Sequence, residues 1–217
     1  MFKKVILGLT LLGSVAFGLD LKSEDRIKEL YQTLEIENKL DYSTFSKAIH
    51  GYNKINDKKE GYITIVDFSK PSNEERFFVI DLENKKVDFL TYVTHGKNTG
   101  LDVAVKFSNK RNSYQSSLGF YLTGITYMGN NGYSLRLKGL EPGFNSNAFE
   151  RNIVVHGADY ASKEFMNKYG FLGRSLGCPA IPEEISKEVI DYIKGGTVLY
   201  INGNDENYLE NSTYVRI

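Results

Sequence analysis

The sequence has few of the residues that mark several protein classes. Its 217 residues include one cysteine, three histidines and no tryptophan. A single cysteine cannot form a disulfide within its own chain, so a disulfide-stabilised secreted scaffold is excluded. The 27 basic and 27 acidic residues balance each other and form no basic block, which argues against nucleic acid as a partner. Any chemistry in this chain therefore depends on a few individual side chains.

Metal ligands are also scarce. Zinc hydrolases need several His, Asp or Glu ligands, and the sequence contains neither an HxH nor an HExxH pattern. His156 and Asp159 together supply at most a part of such a site. We therefore expect no metal and no other cofactor.

Long hydrophobic runs are absent after the first 18 residues. That segment carries Lys3 and Lys4, continues with an uncharged run from Val5 to Phe17, and places small residues, Ala16 and Gly18, where a signal peptidase reads. The run is shorter than the roughly 20 residues that span a bilayer. We therefore predict a signal peptide over residues 1–18 and an exported protein of the periplasm or cell envelope, with no membrane span after cleavage.

Residues 19–60 show helical periodicity and are predicted to pack on the domain that follows. Ser23 can cap a first helix with Ile27 and Leu30 on its apolar face, and Ser43 opens a second helix. The polar residues 204–217 are predicted to form a loose tail.

Residues 61–203 have the alternation and the glycine-rich loops of a mainly β domain. The seven predicted strands are Tyr62–Phe68, Arg76–Leu82, Val87–Val93, Leu118–Leu122, Ser134–Leu137, Asn152–Val155 and Thr197–Ile201. One late helix is predicted to begin with Pro182 as its first residue and to end at Lys194-Gly195-Gly196.

The single cysteine lies in the stretch GRSLGCPAIP, residues 173–182. Pro179 disfavours helical dihedral angles at Cys178, which excludes the papain-like arrangement in which the nucleophile opens a helix. Gly177 allows the backbone to approach a ligand closely, and nearby N–H groups can form an oxyanion hole. Cys178 is either an inert core residue or a reactive thiol, and an exported protein has little use for an idle thiol.

A reactive thiol needs a base, because a free cysteine is mostly protonated at neutral pH. Of the three histidines, His50 lies on the second predicted helix and is interpreted as a helix-end or surface residue. His95 and His156 each end an apolar run and precede a glycine. Spacing alone does not choose between these two.

Several separated motifs resemble one known family. The stretches VVHGADY, GRSLGCPAIP, FSNKRNSYQSSLGFY and DFSKPSNEERFFVIDL are similar to the murein L,D-transpeptidase catalytic domain family, the YkuD-like L,D-transpeptidases. The resemblance implies a mainly β catalytic domain, a sandwich or barrel with flanking helices and a short helical N-terminal segment. It also implies acyl transfer on peptidoglycan stem peptides through a Cys178 thioester, with release of D-alanine and an amine acceptor.

The resemblance assigns roles to individual residues. Cys178 is the nucleophile and His156 its base, while Ser175 and Gly177 shape the backbone around the sulfur. The His156 ring needs a third group to orient it; the carbonyl and the hydroxyl of Ser175 are candidates, and the sequence does not identify the group. The usual Ser-His-Gly-Cys motif has its histidine replaced by Leu176 in this chain.

Substrate contacts are expected from residues around this motif. Arg174 or Arg151 is expected to bind a carboxylate, Ser117 and Gly119 to border the substrate groove, and His95 to touch substrate. All five are single positions read from the resemblance or from their place at the end of a strand.

Three other functions share part of this pattern of residues. Sortases also place histidine before cysteine, but they need an arginine shortly after it, and here only Arg216 follows. An L,D-carboxypeptidase would use the same acyl-enzyme with water as acceptor. A peptidoglycan-binding module without catalysis would not require Cys178. The oligomeric state is not indicated by the sequence.

Overall fold

The computed structural model describes residues 21–216, so the predicted signal peptide lies outside the described residues. Within this range no helix is long and apolar enough to cross a membrane.

Two helices precede the sheet. Helix α1 (Glu24–Thr33) is capped by Ser23, whose side chain accepts a hydrogen bond from the Arg26 amide at 3.4 Å, as the sequence predicts. Helix α2 (Tyr42–Lys54) begins after Asp41, one residue earlier than expected. At Gly51 this helix lies directly on the sheet, because an added Cβ would stand 2.0 Å from the ring of Phe120.

Eight strands form one mixed sheet, which confirms the predicted mainly β class with flanking helices. The strands are β1 (Tyr62–Asp67), β2 (Phe77–Asp81), β3 (Lys86–Thr91), β4 (Gly119–Gly129), β5 (Gly132–Gly139), β6 (Val154–Ala158), β7 (Ala180–Pro182) and β8 (Val198–Asn202). Their order across the sheet is β3-β2-β1-β8-β4-β5-β6-β7, with β1–β8 and β6–β7 as the parallel pairs. The sheet is continuous, and β3 and β7 are its edges.

The remaining helices cover the sheet or connect its strands. They are a short 3₁₀ turn (Asp159–Ala161), α3 (Lys163–Tyr169), α4 (Glu183–Ile193) and α5 (Glu206–Asn211). Helix α4 buries the apolar stripe that contains Val189, Ile190 and Ile193. Pro182 is the last residue of β7 and the N-cap of α4, so the helix begins at Glu183, one residue later than predicted.

The structure corrects the predicted ends of the domain. The polar tail contains α5, whose Tyr208 is buried with its hydroxyl 3.1 Å from the Glu141 carboxylate, and Ser212 donates a second hydrogen bond to the same group. These residues pack against Glu141, a buried polar residue in a distant part of the sequence. The polar composition of residues 204–217 therefore gives no sign that they pack.

Strand β6 is also displaced from its predicted position. It runs two residues beyond His156, which therefore lies inside the strand and not at its end. The added residues pair with β7, a three-residue strand too short to show a periodic pattern.

Candidate active site

Cys178 sits in a tight loop that leads into edge strand β7. The Ser175 hydroxyl donates to the Cys178 carbonyl at 2.6 Å and accepts from the Gly177 amide at 3.0 Å. Gly177 has φ +126°, and a Cβ there would lie 2.8 Å from the Gln115 carbonyl oxygen. Only glycine fits this position, which supports the predicted shaping roles of Ser175 and Gly177.

Residues 94–97 hold both ends of this loop. The Thr94 amide donates to Ala180 O at 2.8 Å on one side of the cysteine. On the other side, the Ser175 amide donates to His95 O at 3.0 Å and the Lys97 amide to Ser175 O at 2.8 Å. The position of the thiol is therefore fixed by the segment that carries His95.

The Cys178 thiol is largely enclosed, with 9% of the residue exposed. Its Sγ donates to the Asn152 carbonyl at 3.5 Å. Burial raises the pKa of the thiol, while a backbone hydrogen bond from Val154 and the positive charge of Arg151 act in the opposite direction. The resting group is therefore a protonated thiol.

His156 is held in one orientation by its own neighbour. Its Nδ1 lies 2.8 Å from the Gly157 carbonyl, an acceptor, so Nδ1 carries the proton and Nε2 has the free lone pair. Burial lowers the pKa of this imidazole and favours the neutral form. The group that orients the ring, which the sequence left open, is the Gly157 carbonyl, while the candidate Ser175 binds Cys178 O through its hydroxyl and the Lys97 amide through its carbonyl.

The sheet register relates the two side chains. His156 pairs with Ala180 in the parallel β6–β7 ladder, and Cys178 precedes Ala180 by two residues. Pro179 favours an extended conformation at Cys178, and the alternation of side chains along an extended chain then predicts that the thiol and the imidazole share one face. Within the described chain the Cys178 Sγ donates its hydrogen bond to Asn152 O and not to the His156 ring. Catalytic hydrogen bonds are often long or absent before substrate binds.

Arg151 organises the loop opposite the cysteine. Its Nη1 donates to Ser108 O at 2.7 Å and to Ser117 Oγ at 3.2 Å. Its Nη2 donates to Gln115 O at 2.6 Å and to Ser113 Oγ at 3.2 Å. These contacts make Arg151 a support of residues 108–117, and its remaining influence on the site is the charge that lowers the pKa of Cys178.

Arg174 and Leu176 project from the cysteine loop. Arg174 is exposed and makes one long hydrogen bond, from Nη1 to Gly100 O at 3.5 Å, so it is free to meet a ligand. Leu176 is 59% exposed. An apolar side chain therefore stands in solvent where the family motif usually has a histidine.

Ser117 and Gly119 are both buried and make internal contacts. The Ser117 hydroxyl accepts from the Tyr121 hydroxyl at 3.0 Å and from Arg151. Gly119 has φ +111°, and a Cβ there would lie 2.2 Å from Glu141 Oε1. Their structural environment explains both residues without substrate, although they flank the loop that Arg151 supports.

His95 is inside the protein and not in a groove. The residue is 1% exposed, with Nδ1 2.9 Å from Arg76 Nη2 and Nε2 3.3 Å from Gly100 O. Burial and then the charge of Arg76 lower the pKa of His95 to about 4. Direct contact with substrate, expected from its position after a strand, is therefore not supported.

His50, the third histidine, lies on α2 and forms a hydrogen bond with the Glu24 carboxylate, in agreement with its interpretation as a helix residue. Between residues 21 and 216, no group of three or more His, Cys, Asp or Glu residues is placed to hold a metal ion.

Sequence reasoning missed the backbone partners of the site and one aromatic neighbour. Asn152 and Gly157 act through their carbonyl groups, which no side-chain motif reveals. The half-buried Tyr160 packs against Gly173, where an added Cβ would lie 2.5 Å from its own Cβ. Burial and the nearby Cys178 raise the pKa of Tyr160 to about 12. The sequence feature that could have drawn attention to Tyr160 is its position four residues after His156.

Three solved structures are among those similar to this chain. An L,D-transpeptidase from Mycobacterium smegmatis is 12% identical, with 66% of this chain and 59% of that chain covered and a TM-score of 0.41. An L,D-transpeptidase from Stackebrandtia nassauensis is 15% identical, with 83% and 78% covered and a TM-score of 0.41. The helical cell shape determining protein Pgp2 from Campylobacter jejuni is 12% identical, with 76% and 57% covered and a TM-score of 0.45.

This chain thus spans 59% of the length of the M. smegmatis structure. No curated protein matches the sequence significantly. The model of the L,D-transpeptidase catalytic domain matches residues 36–202, which is most of the chain and includes the cysteine loop, His156 and all eight strands. The protein belongs to the L,D-transpeptidase catalytic domain family.

Proposed function

We propose that this protein is an exported L,D-transpeptidase that transfers acyl groups of peptidoglycan stem peptides through a thioester on Cys178. The observation that carries the proposal is a single thiol, fixed in a glycine turn at the start of β7, beside strand β6, which carries the neutral His156 imidazole. A cysteine nucleophile and a base in the correct tautomer are the minimum equipment for acyl transfer.

The first half-reaction uses His156 twice. Nε2 takes the proton from Sγ as the sulfur attacks the carbonyl carbon between the third stem residue and the terminal D-alanine. When the tetrahedral intermediate collapses, the C–N bond breaks and the imidazolium gives its proton to the departing amine. A thioester and free D-alanine result, and the histidine is neutral again.

The second half-reaction reverses the roles. An amine of another stem attacks the thioester carbonyl and loses a proton to Nε2, and the C–S bond breaks to return the thiol. No cofactor is needed, because each proton that His156 accepts is returned within the cycle. Water in place of the amine would make the protein an L,D-carboxypeptidase.

The pKa shifts favour a general-base mechanism over a preformed ion pair. Burial raises the pKa of Cys178 and lowers that of His156, so both resting groups are neutral. Proton transfer therefore accompanies attack on the substrate, and the Arg151 charge stabilises the thiolate as it develops. The Gly177 amide already binds Ser175 Oγ, so the oxyanion must find its donors elsewhere in the loop.

The test uses purified protein and a disaccharide-tetrapeptide. We expect a Cys178-linked acyl adduct by intact-protein mass spectrometry and release of D-alanine, with both lost in Cys178→Ala. Ser43→Ala, a change at the surface of α2, is the matched control and should behave as wild type. Binding of the stem by wild type without adduct or D-alanine would refute catalysis and leave a binding module.

Product analysis identifies the acceptor. We expect dimeric muropeptides when a second stem is present, since an amine acceptor cross-links two stems. Tripeptides as the sole product, at any concentration of acceptor stem, would show a carboxypeptidase.

A further inference from the structure

A groove of about 220 Å³ opens beside the cysteine loop. We call it the arginine groove, because Arg111 and Arg151 line it together with Tyr114, Asn152 and Leu176. Asn152 also accepts the Sγ hydrogen bond of Cys178 at 3.5 Å, and Leu176 lies two residues before that cysteine. The groove therefore adjoins the cysteine loop through these two residues.

The charges of the groove favour an anion. Arg111 is exposed and has no hydrogen-bond or ion-pair partner among residues 21–216, so its fork of donors is free. Arg151 adds a second positive charge, and Lys97 Nζ stands 4.3 Å from the Tyr114 ring centre. Glu150 is the acidic residue in the described lining. An arginine with free donors recognises carboxylates through two parallel hydrogen bonds.

Backbone strain is concentrated in the same groove. Five non-glycine residues in the described chain have positive φ, and three of them line the groove: Asn112 (+56°), Tyr114 (+54°) and Asn152 (+53°). A bulky residue such as tyrosine rarely adopts this conformation. Residues in such conformations cluster at ligand clamps, where the surrounding structure holds them in place.

Hydrogen bonds from outside hold these strained residues. The Tyr114 carbonyl accepts from the Asn98 amide at 3.1 Å, and Asn98 Nδ2 donates to the neighbouring Ser113 carbonyl at 2.8 Å. Arg136 Nη1 lies 3.3 Å from Asn152 Oδ1. The groove is therefore formed before any ligand arrives, with an exposed leucine and a tyrosine ring beside the cationic groups.

We propose that the arginine groove binds a free carboxylate of the stem peptide, outside the bond that is cleaved, with Arg111 as its main contact. This inference rests on the proposed function, which brings a stem to Cys178. Stem peptides carry carboxylates on their acidic and diamino-acid residues, and Leu176 and Tyr114 provide apolar contact for the flanking peptide. The groove thereby selects acidic stems over stems whose carboxylates are amidated.

The experiment measures binding apart from turnover. In a Cys178→Ala background, affinities for a disaccharide-tetrapeptide and for its amidated counterpart are determined by calorimetry. We expect the acidic stem to bind about tenfold more tightly, and Arg111→Ala to remove that difference by weakening the acidic stem alone. Arg26→Ala, at another exposed arginine, which lies on α1 and pairs with Glu29, is the matched control and should change neither affinity.

The outcomes separate the two proposals. Equal affinities for both stems, or an Arg111→Ala variant that still prefers the acidic stem, would overturn the groove assignment whether or not wild type forms a thioester. An Arg111-dependent preference in a protein that never forms the thioester would overturn the proposed catalysis and leave the groove intact. Competition by inorganic phosphate with no preference between the stems would mark a phosphate site and also overturn the carboxylate assignment.

Discussion

Arg76 Nη2 lies 2.9 Å from His95 Nδ1, in a buried pair beneath the cysteine loop. The arginine also donates to Val93 O at 3.1 and 2.8 Å and to Lys70 O at 2.7 Å. Burial lowers its pKa to about 9, so the guanidinium remains charged at neutral pH. His95 O accepts a hydrogen bond from the Ser175 amide. The Arg76–His95 pair therefore connects the hydrophobic core to the backbone that positions Cys178.

Replacing His95 with alanine should destabilise the fold. The change leaves the buried Arg76 without one acceptor and opens a cavity beside Phe68, so we expect a loss of about 2–4 kcal/mol in the free energy of unfolding. Urea unfolding measures it. The matched control is His50→Ala, which removes a partly exposed pair with Glu24 and should cost about 0–1 kcal/mol. Equal losses in the two variants would show that the buried pair has no special role.

The same histidine should make the fold sensitive to acid. Its pKa is about 4 in the folded protein and near 6.5 in the unfolded chain, so the unfolded state binds more protons below pH 6.5. Stability should therefore fall as the pH drops from about 6.5 to 4, by roughly 3 kcal/mol from this group. Burial gives His156 a shift in the same direction.

Unfolding free energies at pH 7, 6, 5 and 4 test this dependence. His95→Gln keeps a polar side chain that does not titrate, so its curve should be flatter than that of wild type. Ser43→Ala, a surface change that removes no titratable group, should keep the wild-type slope. A His95→Gln curve as steep as the wild-type curve would assign the acid sensitivity to other groups.

Removing the charge of Arg151 should make the thiol less acidic. Arg151→Gln takes away a positive charge that lowers the pKa of Cys178, so that pKa should rise further and alkylation by iodoacetamide at pH 7–8 should slow. The pH dependence of the alkylation rate gives the pKa. Ser117→Ala deletes one hydrogen bond to Arg151 but keeps its charge, and should leave the thiol pKa in place. A similar rise in both variants would attribute the effect to loop structure and not to charge.

The parts of the fold that the sequence predicted are those with local signals. Ser23 caps α1 through an amide three residues away, and the β2–β3 hairpin closes over a four-residue turn, so both are encoded in short stretches. Strand β7 and helix α5 depend on distant partners, β6 for the first and Glu141 for the second, and were missed. Local sequence patterns therefore predicted the mainly β fold class. They did not predict the edge strand β7, which forms only through tertiary contacts.

The candidate site shows the same division. Cys178 was selected because it is the single cysteine, whereas His156 was chosen over His95 by the family resemblance, because both histidines precede a glycine after an apolar run. The position of His95 after a predicted strand suggested that it meets substrate, because the sequence does not show that Arg76, nineteen positions earlier, is the partner of its ring. Likewise the acceptor that orients His156 is the backbone carbonyl of Gly157. Every residue has a backbone carbonyl, so the sequence gives no reason to choose this one.

Relieving strain in the arginine groove should stabilise the protein and impair binding. Asn112 has φ +56°, and glycine adopts this conformation without steric cost, so Asn112→Gly should raise the free energy of unfolding by a few tenths to about 1 kcal/mol. The greater freedom of the loop should weaken binding of the acidic stem severalfold. Glu35→Gly, with φ +52° but outside the groove, is the matched control and should stabilise without changing affinity. If Asn112→Gly bound the stem as tightly as wild type does, the strained conformation would be a property of the loop alone and not a part of the binding site.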